Sequence, residues 1–126
     1  MQLRFYLFLQ HICKIEKVFY RFLLLSIIIG MRFLLYVSIP TEAGNSVVQD
    51  PNFLQKIEDY INNVKSEAAY FGPSNGNRTM FFIVNMDTPD KIPIILEPLF
   101  QEFKAKVEVH PIMILDDLKK AFSKSR

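Results

Sequence analysis

The sequence is poor in residues that crosslink a chain or hold a metal. It has one cysteine, Cys13, and two histidines, His11 and His110, among 126 residues. A single cysteine cannot form a disulfide within the chain, and the paired cysteine and histidine spacing of a zinc site does not occur. The sequence therefore predicts neither a disulfide scaffold nor a metal site.

Signatures of known chemistry are equally scarce. The four glycines form no glycine-rich phosphate loop and no turn of the kind that carries a nucleophilic serine. The nearest pair of acids, Asp116 and Asp117, lies where the start of a helix favours negative charge. We therefore expect no cofactor, and the sequence leaves open whether the protein is an enzyme.

The net charge of the chain is also small. The formal net charge is +2; residues 1–30 carry four basic groups against one acid, or +3, and residues 31–126 carry eleven basic and twelve acidic groups, or −1. A basic stripe with interleaved aromatic residues, which is typical of nucleic-acid binding, does not occur in residues 31–126. We therefore expect no nucleic-acid partner.

Residues 1–30 form a hydrophobic N-terminal segment without the turn residues of a folded domain. Its uncharged run from Phe22 to Met31 is far shorter than the roughly 20 residues that a spanning helix needs. We favour a non-domain extension, with Met31 as the functional first residue, over a signal peptide or a membrane anchor. This interpretation predicts a single domain over residues 31–126 and a cytoplasmic protein; the alternative is a protein associated with a membrane through residues 1–30.

The stretch Arg78–Asp87 predicts a central strand, because it is apolar on both alternating faces. Met80, Phe82, Val84 and Met86 should face covering helices. Thr79, Phe81, Ile83 and Asn85 should face the other side.

The remaining segments predict the element order β-α-β-β-α-β. Strands are expected at 33–39, 67–71 and 104–112, helices after Asp50-Pro51 and after Thr88-Pro89, connections at 41–49 and 72–77, and a short C-terminal helix at 116–122. Leu54, Ile57 and Ile61 recur at helical spacing, so they should face the sheet. Asn75-Gly76 suits positive φ and should close a hairpin onto the central strand, and Pro93 and Pro98 should each remove a hydrogen bond within the second helix. This element order is typical of a ferredoxin-like α+β fold with strand order 4-1-3-2 and both helices on one sheet face. The helix-covered face should carry Phe33, Leu35, Val37, Phe82, Val84, Val107 and Val109.

Four stretches of residues 31–126 stand out, namely MRFLLYVSIPTEAGN, SEAAYFGPSNGNRTMFFIVNMD, IILEPLF and VEVHPIM. They resemble a family of small uncharacterised proteins, a domain of unknown function that is similar to the dimeric α/β-barrel, ferredoxin-like group. The resemblance implies a homodimer in which two sheets pack face to face around a small cavity. One departure is Ile114-Leu115, which stands where the family has a Thr-Pro helix start.

His110 is the candidate catalytic residue. It shares a strand face with Glu108, so it is placed to act as a general base oriented by polar neighbours. Tyr36, Ser38 and Asn85 should lie on the same sheet face and orient a small ligand. The alternative reading is that His110 is a solvated rim residue and that the other polar groups make hydrogen bonds within a dimer interface.

Two functions therefore remain open. One is a dimeric α/β-barrel protein that binds or transforms a small, mostly apolar molecule in the cavity over the sheet, without metal or cofactor. The other is a non-catalytic homodimeric interaction module.

Overall fold

The computed structural model of the protein describes residues 30–124, and the unit described below begins at Met31. The predictions for the N-terminal segment, including Cys13 and His11, lie outside the described residues. The elements are, in chain order, β1 (Met31–Ile39), α1 (Thr41–Val48), α2 (Phe53–Val64), β2 (Ala68–Ser74), β3 (Asn77–Met86), α3 (Lys91–Phe103), β4 (Lys106–Ile112) and α4 (Leu115–Lys124).

The four strands form one antiparallel sheet in the order β2-β3-β1-β4. Read from the β4 edge this is β4-β1-β3-β2, so β1 and β3 occupy the centre, as the sequence predicted. The α+β arrangement is compatible with a ferredoxin-like fold. It differs from the predicted pattern because two helices, α1 and α2, lie in the crossover from β1 to β2, where one was expected.

The core lies between the sheet and helices α1 to α3. Leu35, Val37, Phe82 and Val84 are completely buried, and the strand register places Leu35 beside Phe82 on one side and Val109 on the other. The alternation of apolar residues therefore predicted the helix-covered face correctly. The helices contribute Val47, Ile57, Tyr60, Ile95, Leu99 and Phe103.

Helix α1 corrects the prediction of a plain connection over 41–49. The helix begins directly after Pro40, and the Gly44 amide donates to the Pro40 carbonyl at 2.7 Å. Its buried residues are Gly44 and Val47. With only two buried positions in eight residues, the helix has no clear hydrophobic period in the sequence. It forms because contact of Val47 with the core overrides the low helix propensity of Gly44 and Asn45.

The β2–β3 hairpin is tighter than expected. Strand β2 continues through Pro73 to Ser74, so the turn consists of Asn75 and Gly76 alone rather than 72–77. Asn75 has φ 52° and Gly76 φ 76°, the pair of positive values that an Asn-Gly hairpin turn uses. The prediction of this turn chemistry is confirmed, and only its length was wrong.

Helix α3 begins at Lys91, two residues after the expected start at Pro89. Pro93 therefore lies in the first turn, where a backbone N–H has no partner within the helix, and it removes no hydrogen bond. Pro98 is inside the helix and does remove one. The expectation that both prolines remove a hydrogen bond within the helix is correct for Pro98 only.

Helix α4 starts one residue before the predicted 116 and has a partial cap. The Ile114 amide donates to Oδ2 of Asp117 at 3.3 Å, and the acids Asp116 and Asp117 lie in the first turn. The helix exposes three large apolar side chains, Leu115, Leu118 and Phe122.

Candidate functional site

The sheet face opposite helices α1 to α3 carries every candidate site residue, and we call it the open face. Because antiparallel register partners point to the same side, pairing of Tyr36 with Glu108 and of Leu34 with His110 places all four residues there. The β1–β3 register adds Asn85, which lies opposite Arg32. Apolar side chains separate the polar ones on this face, namely Leu34, Phe81, Ile83 and Tyr70.

The apolar side chains of the open face are only partly covered. Leu34, Phe81 and Ile83 are half-buried, whereas their strand neighbours Phe82 and Val84 are completely buried. Tyr70 pairs with Phe81 on this face and is 64% exposed. A row of large apolar groups therefore crosses the sheet in contact with solvent.

His110 and Glu108 form a pair near the β4 edge. Nε2 of His110 lies 3.0 Å from Oε2 of Glu108, and their side chains are 52% and 66% exposed. The carboxylate can accept a hydrogen bond from the imidazole and so fix its tautomer and ring orientation.

Tyr36 and Ser38 point their hydroxyls toward the hairpin end of the sheet. The Tyr36 hydroxyl donates to Oγ of Ser74 at 2.7 Å, and Nδ2 of Asn75 approaches the same hydroxyl at 3.4 Å. Nδ2 of Asn77 donates to Oγ of Ser38 at 3.3 Å. These two predicted ligand-binding hydroxyls therefore have partners within the chain.

Asn85 is the one candidate that lacks such a partner. Its Oδ1 is buried and accepts no hydrogen bond from the part of the chain that the structure describes, although buried polar atoms are nearly always paired. The five candidate residues thus share a face but form three sets: Tyr36 and Ser38 at the hairpin end, Glu108 and His110 near β4, and Asn85 opposite Arg32.

Sequence reasoning missed Arg32, which lies on this face beside Asn85. Its Nε donates to both carboxylate oxygens of Glu67, at 3.0 and 2.9 Å, and its Nη1 lies 3.9 Å from Oδ2 of Asp117. Arg32 therefore connects the end of the open face to the start of α4. Its place between apolar strand residues was the signal that could have identified it.

A second feature lies on the opposite side of the sheet, between α2 and strand β2, and we call it the apolar groove. It has a volume of about 790 Å³, within the range of small-molecule sites. Ile39 and Met80 form its floor, and Thr41, Asn77 and Arg78 lie at its polar end. Its walls contain Phe53, Leu54, Ile57, Glu58, Ile61, Phe71 and Pro73.

Leu54 was expected to pack in the core, but it lines the apolar groove instead. Its spacing from Ile57 and Ile61 predicted a core position, yet Leu54 is 76% exposed. Across the groove, Phe71 is 55% exposed, although its ring contacts Phe82 edge to face at 6.2 Å. Helix α2 therefore leaves part of the helix side of the edge strand uncovered.

Residues 30–124 contain no group of three or more histidine, cysteine, aspartate or glutamate side chains that could hold a metal ion. Over the same residues, no helix is long and apolar enough to cross a membrane.

Comparison of the chain with protein-family models, with curated proteins and with solved structures finds no match in any of the three. The open face and the apolar groove are therefore the features of the molecule from which a function can be inferred.

Proposed function

We propose that the protein is a homodimer of the dimeric α/β-barrel type, with a ferredoxin-like fold, in which the open faces of two sheets pack together and enclose a site for a small, mostly apolar molecule. The observation that supports this most directly is the partly exposed row formed by Leu34, Phe81, Ile83 and Tyr70. Burial of apolar surface contributes about 25 cal/mol per Å², and an apolar sheet face in water is typical of a surface that a partner covers.

The polar groups of the open face suit a site that uses neither metal nor cofactor. Oδ1 of Asn85 is a buried acceptor without a partner, so it would accept a hydrogen bond from a ligand donor. His110, hydrogen-bonded to Glu108, would serve as a general base once dimerisation had reduced its exposure. Asn85 would then position the ligand, and His110 would transfer a proton.

A specific observation favours the alternative, a non-catalytic homodimeric interaction module. The hydroxyls of Tyr36 and Ser38 already have partners in Ser74 and Asn77. A ligand would have to replace these bonds, whereas a packed interface would leave them intact. In this alternative the open face serves only to join two copies.

Native mass spectrometry of the protein purified from its own cells tests the two readings together, because it reports the dimer and any retained ligand. A dimer with a bound small molecule supports the first function, and a dimer without one supports the second. A monomer at micromolar concentration would contradict both.

Variants locate the interface. Tyr70→Lys places a charge on the open face at an exposed position, so the fold should persist while the dimer dissociates; Phe81→Asp should act more strongly. Phe100→Asp is the matched control, because Phe100 is an exposed aromatic residue of α3. A Tyr70→Lys protein that remains as dimeric as the Phe100→Asp protein would argue against packing through the open face.

His110→Ala separates the functional roles. In an enzyme it should abolish turnover and leave the dimer intact; in a binding protein whose ligand contacts Asn85 it should leave the retained ligand in place.

A further inference from the structure

The apolar groove is separate from the open face, because its floor belongs to the helix-covered side of the sheet. Ile39 and Met80 are nearly completely buried beneath it. Leu54 of α2 and Phe71 of β2 line its opposite walls and remain largely exposed. A ligand that filled the groove would remove both side chains from water.

The groove has a cationic end formed by Arg78. Nη2 of Arg78 donates to Oδ1 of Asn45 at 3.2 Å. A Cβ atom at Gly44 would lie 2.9 Å from Nη1 of the same guanidinium, so the absence of a side chain at Gly44 allows Arg78 to lie against helix α1. The hydrogen bond and this close approach together hold the charge at one place beside the groove.

Arg78 has no acidic partner within the described part of the chain. The ion pairs of residues 30–124 involve Arg32, Lys56 and His110, and the guanidinium has five N–H donors, one of which Asn45 occupies. The remaining donors match the geometry of a carboxylate, which a guanidinium binds through two parallel hydrogen bonds.

We propose that the apolar groove binds a small amphipathic anion, with its carboxylate on Arg78 and its hydrocarbon chain between Leu54 and Phe71. Charge complementarity at Arg78 selects the headgroup, and the apolar walls select the chain. Glu58 also lines the groove, and its negative charge opposes binding of an anion. The proposal does not depend on dimerisation or on the open face.

The first experiment measures binding of decanoate, decanol and decylamine to the full chain by calorimetry, below the concentrations at which they form micelles. Decanoate should bind most tightly. Each methylene removed from the hydrocarbon chain of decanoate should weaken binding about fourfold, since burial of one methylene contributes about 0.8 kcal/mol. Decylamine or decanol binding as tightly as decanoate would overturn the assignment of the headgroup to Arg78.

Two charge variants test the polar end. Arg78→Gln should weaken decanoate binding by up to about fivefold, the upper end of the range of an exposed charge pair, and should leave decanol binding unchanged. Glu58→Gln should strengthen decanoate binding by a smaller factor. If both variants moved decanoate and decanol affinity equally, the charges would have no role in selection.

Leu54→Ser tests the wall without risk to the fold, because Leu54 is 76% exposed and surface substitutions rarely change stability. It should weaken decanoate binding at least fivefold. Ile94→Ser is the control, since Ile94 is 62% exposed on α3 and lies outside the groove. Equal effects of the two substitutions, or absence of decanoate binding to the unmodified chain, would refute the proposal.

Discussion

Phe81 and Phe82 are neighbours in strand β3, yet the two faces of the sheet give them opposite environments. Phe82 is completely buried and contacts the ring of Tyr60 at 5.1 Å between centroids. Phe81 is half-buried, and its ring contact is Tyr36, at 5.6 Å. At Phe82 the chain's own helices cover the sheet, whereas at Phe81 the opposite face has apolar groups that the helices of the core do not cover.

Polar groups show the same difference. On the helix-covered side, the Tyr60 hydroxyl donates to the Ile95 carbonyl at 2.9 Å, so this buried polar group is satisfied. On the open face, Oδ1 of Asn85 is buried without a partner among residues 30–124. Around Phe82 and Tyr60 the helix-covered side is therefore complete in both packing and hydrogen bonding, while the open face is incomplete in both.

Truncation of the two phenylalanines should show the difference between the two sheet faces most clearly. Phe82→Ala should lower the free energy of unfolding by about 3–5 kcal/mol, because it leaves a cavity in the core. Phe81→Ala should lower it by much less in the monomer. Chemical denaturation at two protein concentrations measures both losses.

If the open face is an interface, the loss of unfolding free energy caused by Phe81→Ala should grow with protein concentration. The loss caused by Phe82→Ala should not depend on protein concentration. Equal losses for the two variants at every concentration would show that the faces do not differ energetically.

The next largest effect should come from the buried polar atom of Asn85. Asn85→Val removes an unsatisfied acceptor and should raise the free energy of unfolding by about 1–2 kcal/mol. Ser38→Ala is the contrasting substitution on the same face: it removes a hydroxyl that accepts from Asn77 and should lower stability by about 0.5–1.5 kcal/mol. Thermal unfolding of ligand-free protein measures both; destabilisation by Asn85→Val would indicate that Oδ1 has a partner in solution.

The smallest effect concerns Tyr60 on the helix-covered side. Tyr60→Phe should lower the free energy of unfolding by about 0.5–1.5 kcal/mol, because it removes the hydrogen bond to Ile95. Burial raises the pKa of Tyr60 well above its usual value, so the folded state keeps this proton when the unfolded state has lost it.

The contribution of Tyr60 is therefore complete below about pH 10 and declines above it, by about 1.4 kcal/mol per pH unit at most. Denaturation from pH 9 to 11 should show a shallower decline for Tyr60→Phe than for the unmodified protein. Tyr70→Phe is the control, since Tyr70 is exposed, and an identical slope in all three proteins would contradict the assignment.

The sequence predicted the parts of the fold that depend on local pattern. Alternation in β1 and β3 identified the core residues, and Asn75-Gly76 identified the hairpin turn. Helix α1 escaped prediction because only Gly44 and Val47 are buried in it, and a helix defined by two tertiary contacts has no visible period.

Strand parity predicted which sheet face carries the candidate site residues, but not their hydrogen-bond partners. Parity assigns Tyr36 and His110 to one face, but it does not show that the Tyr36 hydroxyl turns toward Ser74 while His110 pairs with Glu108. The apolar groove was missed because helical spacing placed Leu54 in the core. Its position depends on how far helix α2 extends over edge strand β2, which no local pattern specifies.

Both outer strands of the sheet contain a proline, Pro73 in β2 and Pro111 in β4. A proline offers no N–H to an approaching strand, so each edge lacks a hydrogen-bond donor where a further strand would pair. Growth of the sheet into fibrils through its edges is therefore disfavoured at both ends. A chain with an uncovered apolar sheet face can in this way associate through that face without extending into cross-β aggregates.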